Sequence, residues 1–240
     1  MTASAWLGRT AGAALVAWAA LAAPAAHAQQ SPVVVELYTS QGCVACPPAD
    51  EYFARIVDEP GVIALALHVD YWDYLGWKDS FGSPAFTQRQ KRYAKAAGAR
   101  MIYTPQVIVG GVDRVEGTRP QAIIDSIATR AADAPRVTLS VTREGDRLVI
   151  RAIAEPPLDR LAVVQLVRYD PEQTVEIERG ENAGHTITYR NIVTDWAPVA
   201  EWAGQAPLMF ETPVQGTSPL VVIVQEAGPG PILAAAQLAP

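Results

Sequence analysis

The chain has 240 residues, half of them hydrophobic, and a net charge of −6 at neutral pH. There is enough apolar material for a sizeable core, while the acidic balance argues against nucleic-acid binding, which relies on basic patches. Only two cysteines are present, so their position carries unusual weight.

Taken in chain order, the first thirty residues hold one charge, Arg9. An Ala-rich apolar run from Ala11 to about Ala23 follows, and Ala26-His27-Ala28 has the small-x-small form of a cleavage site. This reads as a secretory signal removed after residue 28, with a run too short for a membrane span of ~20 apolar residues. The expected product is exported, periplasmic or secreted, with no stable membrane insertion.

"VVVELYTS" (33–40) is a β-branched run expected as a buried strand. "QGCVACPP" then places Cys43 and Cys46 three apart, before two prolines suited to a first helical turn. The helix that follows carries Tyr52, Phe53, Ile56 and Val57 as its apolar stripe and ends at Pro60-Gly61. Two readings of the cysteines stand side by side. A permanent staple is one, but so short a loop contributes only about 2 kcal/mol by chain entropy, against ~4.7 for a 100-residue loop. The other is exchange chemistry, favoured by a helix N-terminus whose dipole lowers a thiol pKa. In that reading Cys43 attacks and Cys46 resolves.

"VIALALHV" (62–69) is expected as a second buried strand. A helix is expected from about Pro84 to Ala97, with Arg89, Lys91, Arg92, Lys95 and Arg100 as a solvated basic face. "IYTPQVIVGGVDRVEG" (102–117) reads as a hairpin turning at Gly110-Gly111. Thr118 is expected to cap a last helix with Ile123, Ile124, Ile127 and Ala131 inward.

This β-α-β-α-β-β-α order, with "CVAC" between the first strand and helix and "YTPQVIVGG" later, resembles the thioredoxin fold over 32–134. The resemblance implies a cis Thr104–Pro105 peptide beside Cys43, with Thr104 and Pro105 contacting an extended substrate. It also suggests that Glu36 accepts a proton from Cys46, its carboxyl raised by burial. The chain departs from thioredoxin in having Gly42 before the first cysteine and Val-Ala between the two. A further departure is "HVDYWDYLGWKDSFGSPAF", an aromatic stretch containing Trp72. It could cap the site and hold a peptide or small apolar partner, or form a local core. His68 and Asp70 begin it, as bracing or site residues.

Three stretches, "ELYTSQGCVACPPAD", "HVDYWDYLGWKD" and "RGENAGHTITYRNIV", are similar to the exported bacterial family catalogued as domain of unknown function 1223. That family implies no settled substrate.

After Pro135 short alternating runs, from "VTLSV" to "ILAAAQLA", are separated by Gly and Pro. They read as an all-β, immunoglobulin-like sandwich over 135–240, with "RGENAGHTITYRN" a turn entering a strand. The expected function is thiol–disulfide exchange through a Cys43–Cys46 couple, acting on a protein or peptide disulfide or dithiol and needing a redox partner. No cofactor and no resident metal are required. Transient copper binding by the two thiols and His68, or a non-catalytic module with a structural disulfide, are the alternatives.

Overall fold

The computed structural model describes residues 31–238; the leader expected over 1–28 lies outside them. The first half forms β1 (Val33–Thr39), α1 (Pro47–Ile56), β2 (Val62–His68), α2 (Pro84–Ala96), β3 (Gln106–Val109), β4 (Asp113–Glu116) and α3 (Pro120–Ala131). Strand β1 runs parallel to β2 and antiparallel to β3, and β3 turns into β4 through Gly110 and Gly111, both at positive φ. The two central strands are buried on both faces, which is why they read as continuous apolar runs. Alternate residues feed two cores. Val33, Val35 and Leu37 pack with Ala49, Phe53 and Ile56 of α1 and with Ile123 of α3. Val34 and Tyr38 face the other way, toward Phe86 and Tyr93 of α2.

Proline opens all three helices at N1 or N2. Helix α3 begins one residue later than Thr118 would have it. Arg119 takes the N-cap position with no side-chain cap bond, because Pro120 sets the first helical φ.

The second half supplies β5 (Val137–Glu144), β6 (Arg147–Ala154), β7 (Ala162–Glu176), β8 (Thr186–Trp202), β9 (Leu208–Pro213), β10 (Leu220–Glu226) and β11 (Ile232–Leu238). The expected runs become strands, but an immunoglobulin-like closure within this half is not confirmed. Four of them extend the first sheet into an eight-stranded array, β11-β10-β7-β8-β2-β1-β3-β4, and the other three form a separate antiparallel sheet, β5-β6-β9. The sheets stack through Leu148, Ile150 and Ala152 on one side and Val164, Val222 and Val224 on the other.

Two devices join the halves. Asn191 adopts φ 47°, a left-handed conformation that asparagine tolerates. Its amide donates to the Ala64 carbonyl at 2.9 Å, beside the Ala66–Ile192 pairing of β2 with β8. Arg89 is the second device and corrects the expectation of a uniformly solvated basic face. It is 4 % exposed, clasps both oxygens of Glu36, donates to Gln165 and Gln225, and stacks 3.6 Å over Trp196. Lys91, Arg92, Lys95 and Arg100 are exposed as expected. Among the described residues no helix is long and apolar enough to cross a membrane.

Candidate functional site around the Cys43–Cys46 disulfide

Strand β1 ends at Thr39, and seven residues later Cys46 stands at the N-cap of α1 with helical φ and ψ. Between them the chain folds into a tight loop. Cys43 N–H donates to the Ser40 carbonyl and Cys46 N–H to the Cys43 carbonyl, both at 3.1 Å. The two sulfurs are joined, with the Cα atoms 5.4 Å apart. They lie just below the surface: Cys43 is 3 % and Cys46 0 % exposed, whereas Val44 between them is 61 % exposed. Pro47 and Pro48 remove two N–H groups from the first turn. The polar groups available to a thiolate are therefore those of the loop; the N–H groups of Val44 and Ala45 have no partner among the described residues.

The loop is gripped from two sides. From the aromatic segment after β2, Asp79 accepts the Gln41 N–H at 2.8 Å, Trp77 donates to the Gln41 side chain at 2.8 Å, and Gln41 donates to Ser80. From the hairpin tip between β7 and β8, Asn182 Nδ2 donates to the carbonyls of Gln41 at 2.9 Å and Cys43 at 3.0 Å. Gly180 of the same tip, at φ 81°, sits against Trp77, whose Cβ would lie 3.0 Å from a side-chain carbon added there. So the "RGENAGH" stretch is a turn, as expected, and also a clamp on the disulfide loop.

Gly42, before the first cysteine, passes close to Trp72. A Cβ there would lie 3.2 Å from Trp72 Cβ and 3.3 Å from its carbonyl oxygen, so the loop passes Trp72 at closer quarters than a side chain ordinarily has. The Trp72 indole N–H reaches on to Thr104 Oγ1 at 2.7 Å. The Thr104–Pro105 peptide is cis. Pro105 and Ala49 of α1 converge on the same point above Gly117. Ala45, Thr104, Pro105, Tyr103, Glu116 and Thr118 line an open cleft of about 280 Å³ there. Another cleft, about 420 Å³ and bordered by Val33, Gly110 and Ile232, lies at the opposite end of β1, far from the cysteines. Trp72, Thr104 and Pro105 therefore do gather around the disulfide loop.

Glu36 does not, and this corrects its expected role. Its side chain leaves β1 on the α2 face, opposite α1. There Oε2 accepts from Arg89 at 2.7 Å and Tyr38 at 2.9 Å, and Oε1 from Arg89 at 2.8 Å and Tyr93 at 2.6 Å. The strand's two-residue period puts Glu36 with Val34 and Tyr38, away from Cys46.

The buried acid on the cysteine side is Asp50. It shares a polar chamber with Thr39 of β1, His68 of β2, Asp79 and Tyr189 of β8. Burial pushes the Asp50 carboxyl up to about 7, against the lowering influence of His68 and Thr39 and with a small lift from Asp79. Burial pushes Asp79 upward too, but the His68 ring and the N–H groups of Gln41 and Phe81 outweigh it and hold that carboxyl below its ordinary value. His68 Nδ1 lies 2.8 Å from Asp79 Oδ2, and its ring sits edge-on to Phe81 and Tyr189. Among the described residues no three or more His, Cys, Asp or Glu side chains are grouped to hold a metal ion. The sequence signal for Asp50 was available: it lies four residues after Cys46 and three before Phe53, inside the inward stripe of α1. Asn182 and Tyr189 had no such signal, since only the long β7–β8 hairpin brings them across.

The family model described as protein of unknown function (DUF1223) matches residues 34–225. Among solved structures, protein AGR_C_4864 from Agrobacterium tumefaciens is 33 % identical with a TM-score of 0.76, over 88 % of this chain and 96 % of that one. HBP35 of Porphyromonas gingivalis is 15 % identical with a TM-score of 0.64, over 88 % of this chain and 75 % of that one, a likeness of fold. No curated protein matches.

Proposed function

The chain belongs to the DUF1223 family of proteins of unknown function, and we propose that it performs thiol–disulfide exchange through Cys43 and Cys46. The observation that carries this reading is the closed Cys43–Cys46 pair at the start of α1, with the cis Thr104–Pro105 loop packed against the same helical turn. A pure staple gains most by joining distant segments, whereas this pair closes a minimal loop. A thioredoxin-like reading of the first half is supported by the order β1-α1-β2-α2-β3-β4-α3 and by the cis proline.

In the reduced protein Cys43 is the attacking sulfur, because it lies outside the helix and keeps residual exposure while Cys46 has none. Its thiolate attacks a substrate disulfide and displaces one substrate thiolate, leaving a mixed disulfide. Cys46 then attacks Cys43 Sγ, closing the protein disulfide and releasing the second substrate thiol. Run in reverse, the closed form oxidises a dithiol. The cleft beside Ala45, Thr104 and Pro105 suits an extended peptide segment, and Trp72, whose indole donates to Thr104, stacks with Tyr74 at a ring-centroid distance of 6.4 Å. An exported, oxidising compartment, which the leader expected over 1–28 would give it, is where such a couple would operate.

The test is covalent capture. Cys46→Ser protein, reduced and offered oxidised peptides or cell-envelope extract, should hold partners through Cys43, and the double variant Cys43→Ser/Cys46→Ser should hold none. Failure to form any mixed disulfide, together with a wild-type disulfide inert to excess dithiol, would make the pair a structural staple.

A further inference from the structure

We propose that Asp50 is the proton acceptor for the Cys46 thiol. This rests on the exchange reading and assigns the proton that the second step must move.

Asp50 follows Cys46 by four residues, and its N–H donates to the Cys46 carbonyl at 3.0 Å. Positions i and i+4 of a helix are neighbours on one face, and the Cα–Cβ bond tilts toward the helix N-terminus. The carboxyl is thereby carried back toward the cysteine. Cys46 is fully buried and Asp50 is 5 % exposed, so neither exchanges protons freely with bulk water.

The second observation is independent of position. Asp50 Oδ2 is buried with no hydrogen-bond partner among the described residues. Buried carboxylate oxygens are ordinarily satisfied, as all four contacts to Glu36 show on the opposite face. Four segments bring a polar group to Asp50: Thr39 from β1, His68 from β2, Asp79 from the aromatic segment and Tyr189 from β8. His68 Nδ1 is committed to Asp79, His68 Nε2 and the Tyr189 hydroxyl are unpartnered among the described residues, and the Thr39 hydroxyl is the one side chain whose hydrogen bonding lowers the Asp50 carboxyl. The chamber has room in its hydrogen-bonding for one more proton, and burial keeps the Asp50 carboxyl poised near neutrality to take it up and give it back.

The step balances as follows. With Cys43 in a mixed disulfide to a substrate sulfur, the Cys46 S–H proton passes to the Asp50 carboxylate. The Cys46 sulfur attacks Cys43 Sγ, forming the intramolecular bond and breaking the bond to substrate. The substrate leaves as a thiolate and takes a proton from water; Asp50 later releases its own to solvent. The electrons go to the substrate disulfide, which is the oxidant. In the reverse direction Asp50 delivers the proton to Cys46 as its sulfur leaves.

The experiment mixes reduced protein with excess glutathione disulfide, quenches with acid and follows the glutathione adduct by mass spectrometry across pH. In wild type the adduct should decay with an inflection near pH 7. Asp50→Asn should accumulate it, with decay slowed at least tenfold at pH 7 and the inflection gone, while Asp50→Glu should keep the inflection. Melting curves confirm that each variant is folded. Equal decay rates and equal profiles in wild type and Asp50→Asn would overturn the assignment. Should wild type form no adduct at all, the exchange reading falls. Asp50 is then judged by thiolate absorbance in a Cys43→Ser background. Removing a neighbouring negative charge must lower the Cys46 thiol pKa, and an unchanged titration refutes the coupling.

Discussion

Asn182 Nδ2 stands 3.0 Å from the carbonyl oxygen of Cys43, although 139 positions separate the two residues in the chain. The same nitrogen also meets the Gln41 carbonyl, so one side chain from the second half fixes the disulfide loop on both sides of Gly42. Asn182→Ala leaves two buried carbonyls without this donor and should cost about 1–3 kcal/mol. Because the loop is then freer, the two thiols meet less often and the disulfide should open at a less reducing potential. A redox titration beside a melting curve checks both effects, and an unmoved potential would limit the clamp to a stabilising role.

Glu36 and Arg89 offer the opposite expectation. Each is buried, and the pair is bidentate. Arg89→Met strands the Glu36 charge and should cost about 3–5 kcal/mol, whereas the double variant Arg89→Met/Glu36→Met should recover most of the loss. Glu36→Gln should leave glutathione-adduct decay unchanged in rate and pH profile, since the carboxyl lies across the sheet from Cys46. A slowed decay would return Glu36 to the site.

The pH dependence of stability follows from Asp50. Its folded-state carboxyl is raised to about 7 from an ordinary 3.8, so the native state holds a proton that the unfolded chain releases. Stability is fully present below about pH 4 and is lost progressively as pH rises through 7, by on the order of 4 kcal/mol at most. Asp79 works in the other direction: its lowered carboxyl stabilises above the ordinary value and loses that contribution as pH falls below it. Asp50→Asn should therefore melt higher than wild type at pH 8 and by much less at pH 5. Parallel melting curves at the two pH values for both proteins would contradict the buried-acid account.

Gly42→Ala places a methyl 3.2 Å from Trp72 Cβ and 3.3 Å from its carbonyl. One side must yield, at about 1–3 kcal/mol. The expected consequence is a Trp72 indole displaced from Thr104, read as a change in tryptophan fluorescence and in the rate at which Cys43 reacts with a peptide disulfide. An unchanged spectrum and rate would show that the loop absorbs the methyl without moving Trp72.

Much of this architecture was legible in the residues themselves. The buried strands β1 and β2, the proline-led helices, the Gly110-Gly111 hairpin and the later strand runs follow from period, turn chemistry and apolar content, all local properties. The Cys43–Cys46 pair with its helix start, and Pro105 at the opening of a strand, were equally local, whereas Pro105's approach to the cysteines was legible only through the resemblance. Arg89 was misread because a side chain's destination depends on what lies opposite: Glu36, Gln165, Gln225 and Trp196 come from four separate strands.

By itself the sequence determined which segments would be strand or helix, where the two thiols would sit, and that three separated motifs mark one family. Only the tertiary structure decided that the second half would widen the first sheet, that Asn182 would hold the cysteine loop, and that Arg89 would be drawn inward to Glu36. The reason is physical. Period and propensity act over a few neighbouring residues, while strand order and the pairing of buried polar groups are settled by contacts between segments from tens to more than a hundred positions apart.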